Sequence, residues 1–373
     1  MRTSMIMRMS AVAAAAALTV LGLTGARPAP AARGPQIAYV VSLDANTVTP
    51  INTATNKAGP AIRVGVNPNA IAITPDGRTA YVTNSGSGTV TPISTATNKA
   101  GAPIKVGSLP SYVAITPNGR TAYVSSANAV TPISTATNKA GPPIKLRGAG
   151  DLAITPSGQT VYAASSTGTV TPISTATSKP GKAIKVGRTA GYIAITPNGR
   201  TAYVTIWNLS ADTVRPISIA TSTAGKAIKV GTDPGAIMIT PNGKTAYVAC
   251  FHAQYPVAQG SVWPISIATG QAGRRILVNG FPTHFTASGT TVYVTTGQGV
   301  TPIRAGTSTA GQPFAAGAGP WAIALTASGT GYVTDDGTGS QPGNTVTPFS
   351  TRTSKAGKAI KVGLSPVAIA ITP

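Results

Sequence analysis

The feature that most limits what this chain can fold into is a repeat. A tyrosine inside an Ala-Tyr-Val core, or a close variant of it, falls at Tyr39, Tyr81, Tyr123, Tyr162, Tyr203, Tyr247, Tyr293 and Tyr332, at spacings of 42, 42, 39, 41, 44, 46 and 39 residues. The fullest copy is Ile71-Ala-Ile-Thr-Pro-Asp-Gly-Arg-Thr-Ala-Tyr-Val-Thr-Asn84. A period of about 42 residues running from Ile37 to Pro373 argues for one array of similar units, where 373 residues alone would suggest two domains.

Each unit contains four short apolar stretches, in the second unit residues 70–74, 79–83, 89–94 and 103–106. With 42 Gly, 31 Pro and only 10% charged residues, these read as short strands separated by turns. The first pair is joined by Thr-Pro-Asp-Gly-Arg at Thr74, with Thr-Pro-Asn-Gly at Thr116, Thr196 and Thr240 and Thr-Pro-Ser-Gly at Thr155. Proline suits the first corner of a type I turn and glycine the left-handed residue that closes it, so a hairpin is predicted. The third and fourth stretches are joined by Thr-Ala-Thr-Asn-Lys-Ala-Gly or variants, with Gly59, Gly101, Gly141, Gly181, Gly225, Gly273, Gly311 and Gly357 in register. A second hairpin follows.

The fourth stretch, Ile-Lys-Val or a variant at residues 62–64, 104–106, 184–186, 228–230 and 360–362, places a charge between two apolar residues. A recurring cation protects an exposed strand edge from foreign pairing, which puts this strand on the rim. One local rule is broken: Pro50, Pro92, Pro132, Pro172, Pro216, Pro264, Pro302 and Pro348 all sit inside the third strand. Proline removes a ladder hydrogen bond, so its nitrogen is expected to face a gap or bulge beside the short fourth strand.

The ends decide the architecture. The first unit begins at its second strand, residues 37–41, and residues 367–373 are a first strand with nothing after it. Together they complete a unit. The expectation is an all-β, eight-bladed ring of four-stranded antiparallel blades over residues 37–373, closed by the C-terminal innermost strand beside the N-terminal one. Seven blades remain an alternative if the divergent unit at residues 281–303 forms no sheet.

These residues resemble the YVTN family of β-propeller repeats, whose core Pro-Asp-Gly-(Lys/Arg)-x-x-Tyr-Val-Thr-Asn is matched best at Pro75 to Asn84. The tail drifts elsewhere, to Tyr123-Val-Ser-Ser, Tyr162-Ala-Ala-Ser, Tyr203-Val-Thr-Ile and Tyr247-Val-Ala-Cys. Asn52, Ser94, Ser134 and Ser174 stand where the family often has Asp before Thr-Ala-Thr. The resemblance implies a propeller outside the cytoplasm, often on cell surfaces, and assigns no reaction; propellers host unrelated activities.

Residues 1–31 read as a secretory signal, with Arg2 and Arg8 ahead of a short apolar run and small residues at Ala29-Pro-Ala31; cleavage after Ala26 competes. Residues 32–36 then form a short leader. The apolar run is too short for a comfortable membrane span, no cysteine follows it, and the sequence stops at Pro373 without a hydrophobic tail. Export without an anchor is expected. The single cysteine, Cys250, permits no intramolecular disulfide, so stability must come from packing.

Charge points to partners. The net charge is +22, from 29 Lys and Arg against 7 Asp and no Glu, and loss of residues 1–31 removes three arginines, leaving 26 − 7 = +19. In a propeller, first-to-second and third-to-fourth turns share one face. That turn face carries Arg78, Arg120, Arg200 and Lys244, and near the outer hairpins Lys57, Lys99, Lys139 and Lys179. It is expected to contact an anionic envelope polymer or surface protein, set against a purely solubilising role. Nucleic acid fits poorly, since the basic turns lack interleaved aromatics for stacking. A monomer is expected.

The opposite face collects the variable loops. Trp207, Phe251, Tyr255 and Trp263 lie in or beside the longer ones, Trp321 follows a proline between blades, and Tyr112, Asp151 and Tyr192 sit early in first strands. They form the candidate partner-binding mouth, set against ordinary packing between blades. Catalysis has little to draw on. Cys250 and His252, spaced by two, with His284 in the next inner strand, are the candidates for a metal or nucleophilic site in a lactonase-, lyase- or dehydrogenase-like propeller. No cofactor is expected: the sequence shows no repeated Trp docking motif and no Glu-Asn-Asp calcium constellation.

Overall fold

The computed structural model describes residues 35–207, 212–251, 259–338 and 341–373 of the chain. None of the described residues is helical, and the strands form eight antiparallel sheets in a ring, an eight-bladed β-propeller. Blade 2 shows the plan. Pro68–Ile73, Thr79–Asn84 and Thr89–Ser94 pair in order from the axis outward, and the fourth strand is split into Lys99–Ala100 and Ile104–Lys105, both paired with the third. Blades 3 to 8 repeat it within residues 112–145, 149–185, 189–229, 234–279, 282–310 and 320–361, with an isolated bridge, Ile173 to Pro180 and Val300 to Phe314, in place of one half of the fourth strand in blades 4 and 7. The divergent unit forms a regular blade: Pro282–Ser288, Thr291–Thr296 and Gly299–Arg304 pair in sequence.

Blade 1 joins the two ends. Pro366–Ile371 runs antiparallel to Ile37–Ser42, with Ala38 opposite Ile371 and Val41 opposite Ala368. The join is reinforced where Gln36 Nε2 donates to the Thr372 carbonyl at 2.6 Å and the Ile37 N–H donates to Thr372 Oγ1 at 2.9 Å.

Packing explains why the ring closes. Successive strand residues point to opposite sheet faces, and both faces of a blade are apolar here. In blade 2, Ala80 and Val82 pack toward blade 1 and Tyr81 toward blade 3. Eight apolar clusters result, one at each interface between blades. The last joins Tyr332, Val346 and Ile360 of blade 8 to Ala38, Val40 and Ile51 of blade 1.

The repeated tyrosine adds a polar latch to these clusters. Its hydroxyl crosses to the outer hairpin of the next blade: Tyr39 donates to Asn98 Oδ1 at 2.6 Å, Tyr81 to Asn138 Oδ1 at 2.5 Å, and Tyr332 to Asn56 Oδ1 at 2.5 Å across the closure. The acceptor sits at the left-handed turn residue, Asn56, Asn98 and Asn138 having φ of 54°, 53° and 53°. Asparagine tolerates that conformation better than most residues. Serine replaces it in later blades, as in the 3.0 Å contact of Tyr247 with Ser308. Blade 6 has Gly270 at that place, so Tyr203 meets no side-chain acceptor there.

Both turn expectations hold in atomic detail. Gly77 has φ 75° and donates to the Thr74 carbonyl at 2.8 Å, while Asp76 Oδ1 accepts the Arg78 N–H at 3.0 Å. Pro50 faces the gap between Lys57–Ala58, paired with Ile51 and Asn52, and Ile62–Arg63, paired with Thr47 and Val48. Its carbonyl accepts the Gly59 N–H at 2.8 Å. All eight prolines repeat this bond at 2.7 or 2.8 Å. The partner is glycine because a Cβ there would lie 3.2 or 3.3 Å from the proline Cγ.

The latch makes a comparison between two blades decisive. Tyr81→Phe is expected to lower unfolding stability by about 1 kcal/mol, the net value of a typical hydrogen bond, and Tyr203→Phe by clearly less. Denaturant unfolding of the two variants checks this, and equal losses would show that the hydroxyl contributes nothing.

Candidate functional site

An irregularity in the innermost strands decides what lines the axis. Register against the second strand shifts between Ala149 and Leu152, Ala190 and Ile193, Pro234 and Ile237, Pro282 and Phe285, and Pro320 and Ile323. A bulge of this kind releases a backbone N–H from the ladder and re-aims a side chain. The residue concerned stands four before the threonine or serine of the inner turn. From blade 1 to blade 8 that position holds Ala368, Ala70, Tyr112, Asp151, Tyr192, Ala236, His284 and Ala322.

The threonine of Tyr-Val-Thr captures the released N–H. Thr83 Oγ1 accepts from Ala70 at 3.1 Å, Thr205 from Tyr192 at 2.8 Å, Thr295 from His284 at 3.1 Å and Thr334 from Ala322 at 2.9 Å. Four of the eight axial positions therefore carry polar side chains, all between blades 3 and 7.

Tyr112, Asp151 and Tyr192 meet. The two tyrosine side chains interact, and burial, with the neighbouring Asp151 adding to it, raises both phenols well above their ordinary value. Asp151 ties blade 4 to blade 5: Oδ1 accepts the Leu152 N–H at 2.9 Å and Oδ2 the Ile193 N–H at 3.0 Å. Burial raises its carboxyl to about 7, against the opposing pull of those two bonds.

Tyr192 also borders a cavity of about 10 Å³, lined further by Ala236, Phe251, Thr283, His284 and Trp321. His284 is 8% exposed, and its Nδ1 lies 3.0 Å from the Trp321 carbonyl. A carbonyl oxygen only accepts, so Nδ1 holds the proton and Nε2 presents a lone pair. Burial lowers the imidazole to about 4, which keeps the ring neutral near pH 7. His284 Nε2 and Trp321 Nε1 are both buried without a hydrogen-bond partner.

Of the other expected site residues Phe251 borders this cavity, and Trp207, Trp263 and Cys250 do not. Trp207 Nε1 donates to the Pro234 carbonyl at 2.6 Å. Trp263 lies within the third strand of blade 6, packs on the cluster between blades 5 and 6, and donates to Ser261 Oγ at 3.1 Å. Phe251 covers Gly235 and lies 6.2 Å from Phe281 between ring centroids. Tyr255 and His252 fall outside the described residues. Cys250 occupies the place of Asn84 in the fullest repeat, is fully buried in that same cluster, and has its thiol pushed up to about 12, chiefly by burial. Among the described residues no three His, Cys, Asp or Glu side chains are grouped to hold a metal.

Eight of the basic residues lie together on the turn face. Arg78, Arg120, Arg200 and Lys244 are exposed in the inner turns, and Lys57, Lys99, Lys139 and Lys179 at the outer hairpins. Thr95 ties the two kinds of turn together, its hydroxyl donating to the Gly77 carbonyl at 2.6 Å and its N–H to the Arg78 carbonyl at 3.0 Å. Asp76, 3.9 Å from Arg78, is the only acid in these turns. Asp151 lies at the axis, and Asp44, Asp212, Asp233, Asp335 and Asp336 lie toward the opposite, loop face.

No family model matches the chain, and no curated protein sequence matches it. Solved structures do. Hydrazine synthase from Kuenenia stuttgartiensis is 19% identical, covering 80% of this chain and 97% of that chain, with a TM-score of 0.60. The dihydro-heme d1 dehydrogenase NirN in complex with DHE is 13% identical, covering 94% and 78%, with a TM-score of 0.74. A functionally unknown protein from Desulfotomaculum acetoxidans is 19% identical, covering 90% and 98%, with a TM-score of 0.63. At these identities the likeness carries the propeller fold alone.

Asp151 and His284 make opposite demands on pH. Asp151 titrates near 7 in the fold against an ordinary 3.8, so its contribution is complete below about 3.8 and lost as pH rises through 7. His284 titrates near 4 against an ordinary 6.5, so its contribution is complete above 6.5 and lost as pH falls through 4. Asp151→Asn is expected to gain on the wild type by about 1–2 kcal/mol between pH 4 and pH 8, after allowance for water near the axis. Parallel pH profiles of the two unfolding free energies would refute it.

Proposed function

We propose that this chain is an exported, non-enzymatic propeller of YVTN type that docks through its turn face onto an anionic polymer of the cell envelope and leaves its loop face free for a partner. The observation that carries this reading is the charge distribution: the turn face presents cations from blade after blade and a single acid, Asp76. A surface of one sign attracts a polyanion over about one Debye length, roughly 8–10 Å at ordinary ionic strength, and salt weakens that attraction. The signal-like residues 1–31 support export. The resemblance of Pro75 to Asn84 to the YVTN core supports a place at the cell surface.

The rival reading, a propeller enzyme, has one observation on its side. Asp151, with its carboxyl near 7 beside Tyr112 and Tyr192 at the axis, has the pKa of an acid or base catalyst. Both its oxygens, however, already accept backbone N–H groups, which suits a tie between blades better than proton transfer. Cys250 is unfit as a nucleophile, because a buried thiol titrating near 12 supplies almost no thiolate. The enzyme names of the similar structures belong to those proteins.

Binding of the mature protein to an immobilised anionic wall glycopolymer is expected to weaken at least about tenfold between about 0.05 M and 0.5 M salt. The quadruple variant Arg78→Gln, Arg120→Gln, Arg200→Gln, Lys244→Gln is expected to bind more weakly at low salt while unfolding normally. Retention that ignores both salt and these substitutions would end the proposal.

A further inference from the structure

Two buried, unpartnered ring nitrogens belong to residues bordering one small cavity at the axis, and they differ in kind. Trp321 Nε1 can only donate a hydrogen bond. His284 Nε2 can only accept one, because Nδ1 is committed as donor to the Trp321 carbonyl. A buried donor and a buried acceptor left unpaired each cost stability, and such a pair in a native protein calls for an occupant.

The pair restricts what that occupant is. An anion would meet the lone pair of a neutral imidazole, and an ammonium would meet the indole N–H. A hydroxyl suits both, accepting from Trp321 and donating to His284. The space, about 10 Å³, is that of one such oxygen, so the rest of the ligand must lie outside it. There it meets aromatic rings, since Tyr192, Phe251 and Trp321 all border the cavity, and His284 and Trp321 have their ring centroids 5.7 Å apart. Aromatic walls with one polar anchor match the C–H face and single inserted hydroxyl of a sugar ring better than a linear polyol. We infer that the axial mouth binds a neutral pyranose unit, one hydroxyl of which sits between His284 Nε2 and Trp321 Nε1.

This inference does not depend on the turn face, and its test uses different ligands. Titration calorimetry of the mature protein with methyl glucoside, methyl galactoside and N-acetylglucosamine, and with oligosaccharides of the same units, is expected to show saturable binding to at least one. Preference for the oligosaccharide would identify a polymer end as the source, and equal affinity a free sugar. Glucuronate and glucosamine, the charged counterparts, are expected to bind at least tenfold more weakly. His284→Phe removes the acceptor and Trp321→Phe the donor, and each is expected to weaken binding at least tenfold. Each variant is first shown to unfold like the wild type; should one fail to fold, the other carries the comparison.

Absence of saturable binding to every neutral saccharide would overturn the inference. So would unchanged affinity in a folded variant, or a crystal soaked in the sugar that shows only a water between the two nitrogens.

Discussion

A sheet that is apolar on both faces has no stable edge in a stack, because each added blade covers one face and exposes another. Only return to the first blade ends the series. In this chain the return is made by Pro366–Ile371 lying against Ile37–Ser42 and by the apolar cluster that joins Tyr332 and Val346 to Ala38 and Val40. Every other feature presupposes that closure: which turns share a face, which strand lies on the rim, and which side chains converge at the axis.

Within the ring, each repeat motif is completed by a partner elsewhere. The tyrosine of one blade is satisfied by the outer hairpin of the next, as Tyr81 is by Asn138, and the third-strand proline by the glycine of its own hairpin, as Pro50 is by Gly59. These contacts explain why asparagine or serine holds the left-handed turn position in all blades but one, and why glycine follows three residues later. The chain places its recurring letters at joints between elements more than in the elements themselves.

The architecture was legible because it rests on short-range regularities. The period, the Pro-x-Gly turn, the proline facing a gap and the unpaired first strand at residues 367–373 are all visible in the letters, and each has one physical solution. The axial site was legible only in part. Tyr112, Asp151, Tyr192 and Trp321 could be placed near the mouth, but the bulge shifts the simple alternation of strand faces, so alternation alone does not say which residue points inward. Counting four residues back from the turn threonine would have aligned His284 and Ala236 with them. Trp263 was misleading because a third-strand position beside a long loop reads as part of that loop. The pairing of Tyr81 with Asn138, 57 residues away, depends on how two blades settle against each other, which no single repeat records.

The bulge itself has a wider consequence. In blades 2, 5, 7 and 8 the released N–H at the axial position is caught by a threonine of the adjacent strand, as Thr205 catches Tyr192 and Thr83 catches Ala70, so the backbone there is satisfied whatever side chain is present. Alanine, tyrosine and histidine all occupy the position in those four blades. Specificity can thus drift during evolution without jeopardising the scaffold, and repetition of one unit supplies four such sites on which selection can experiment.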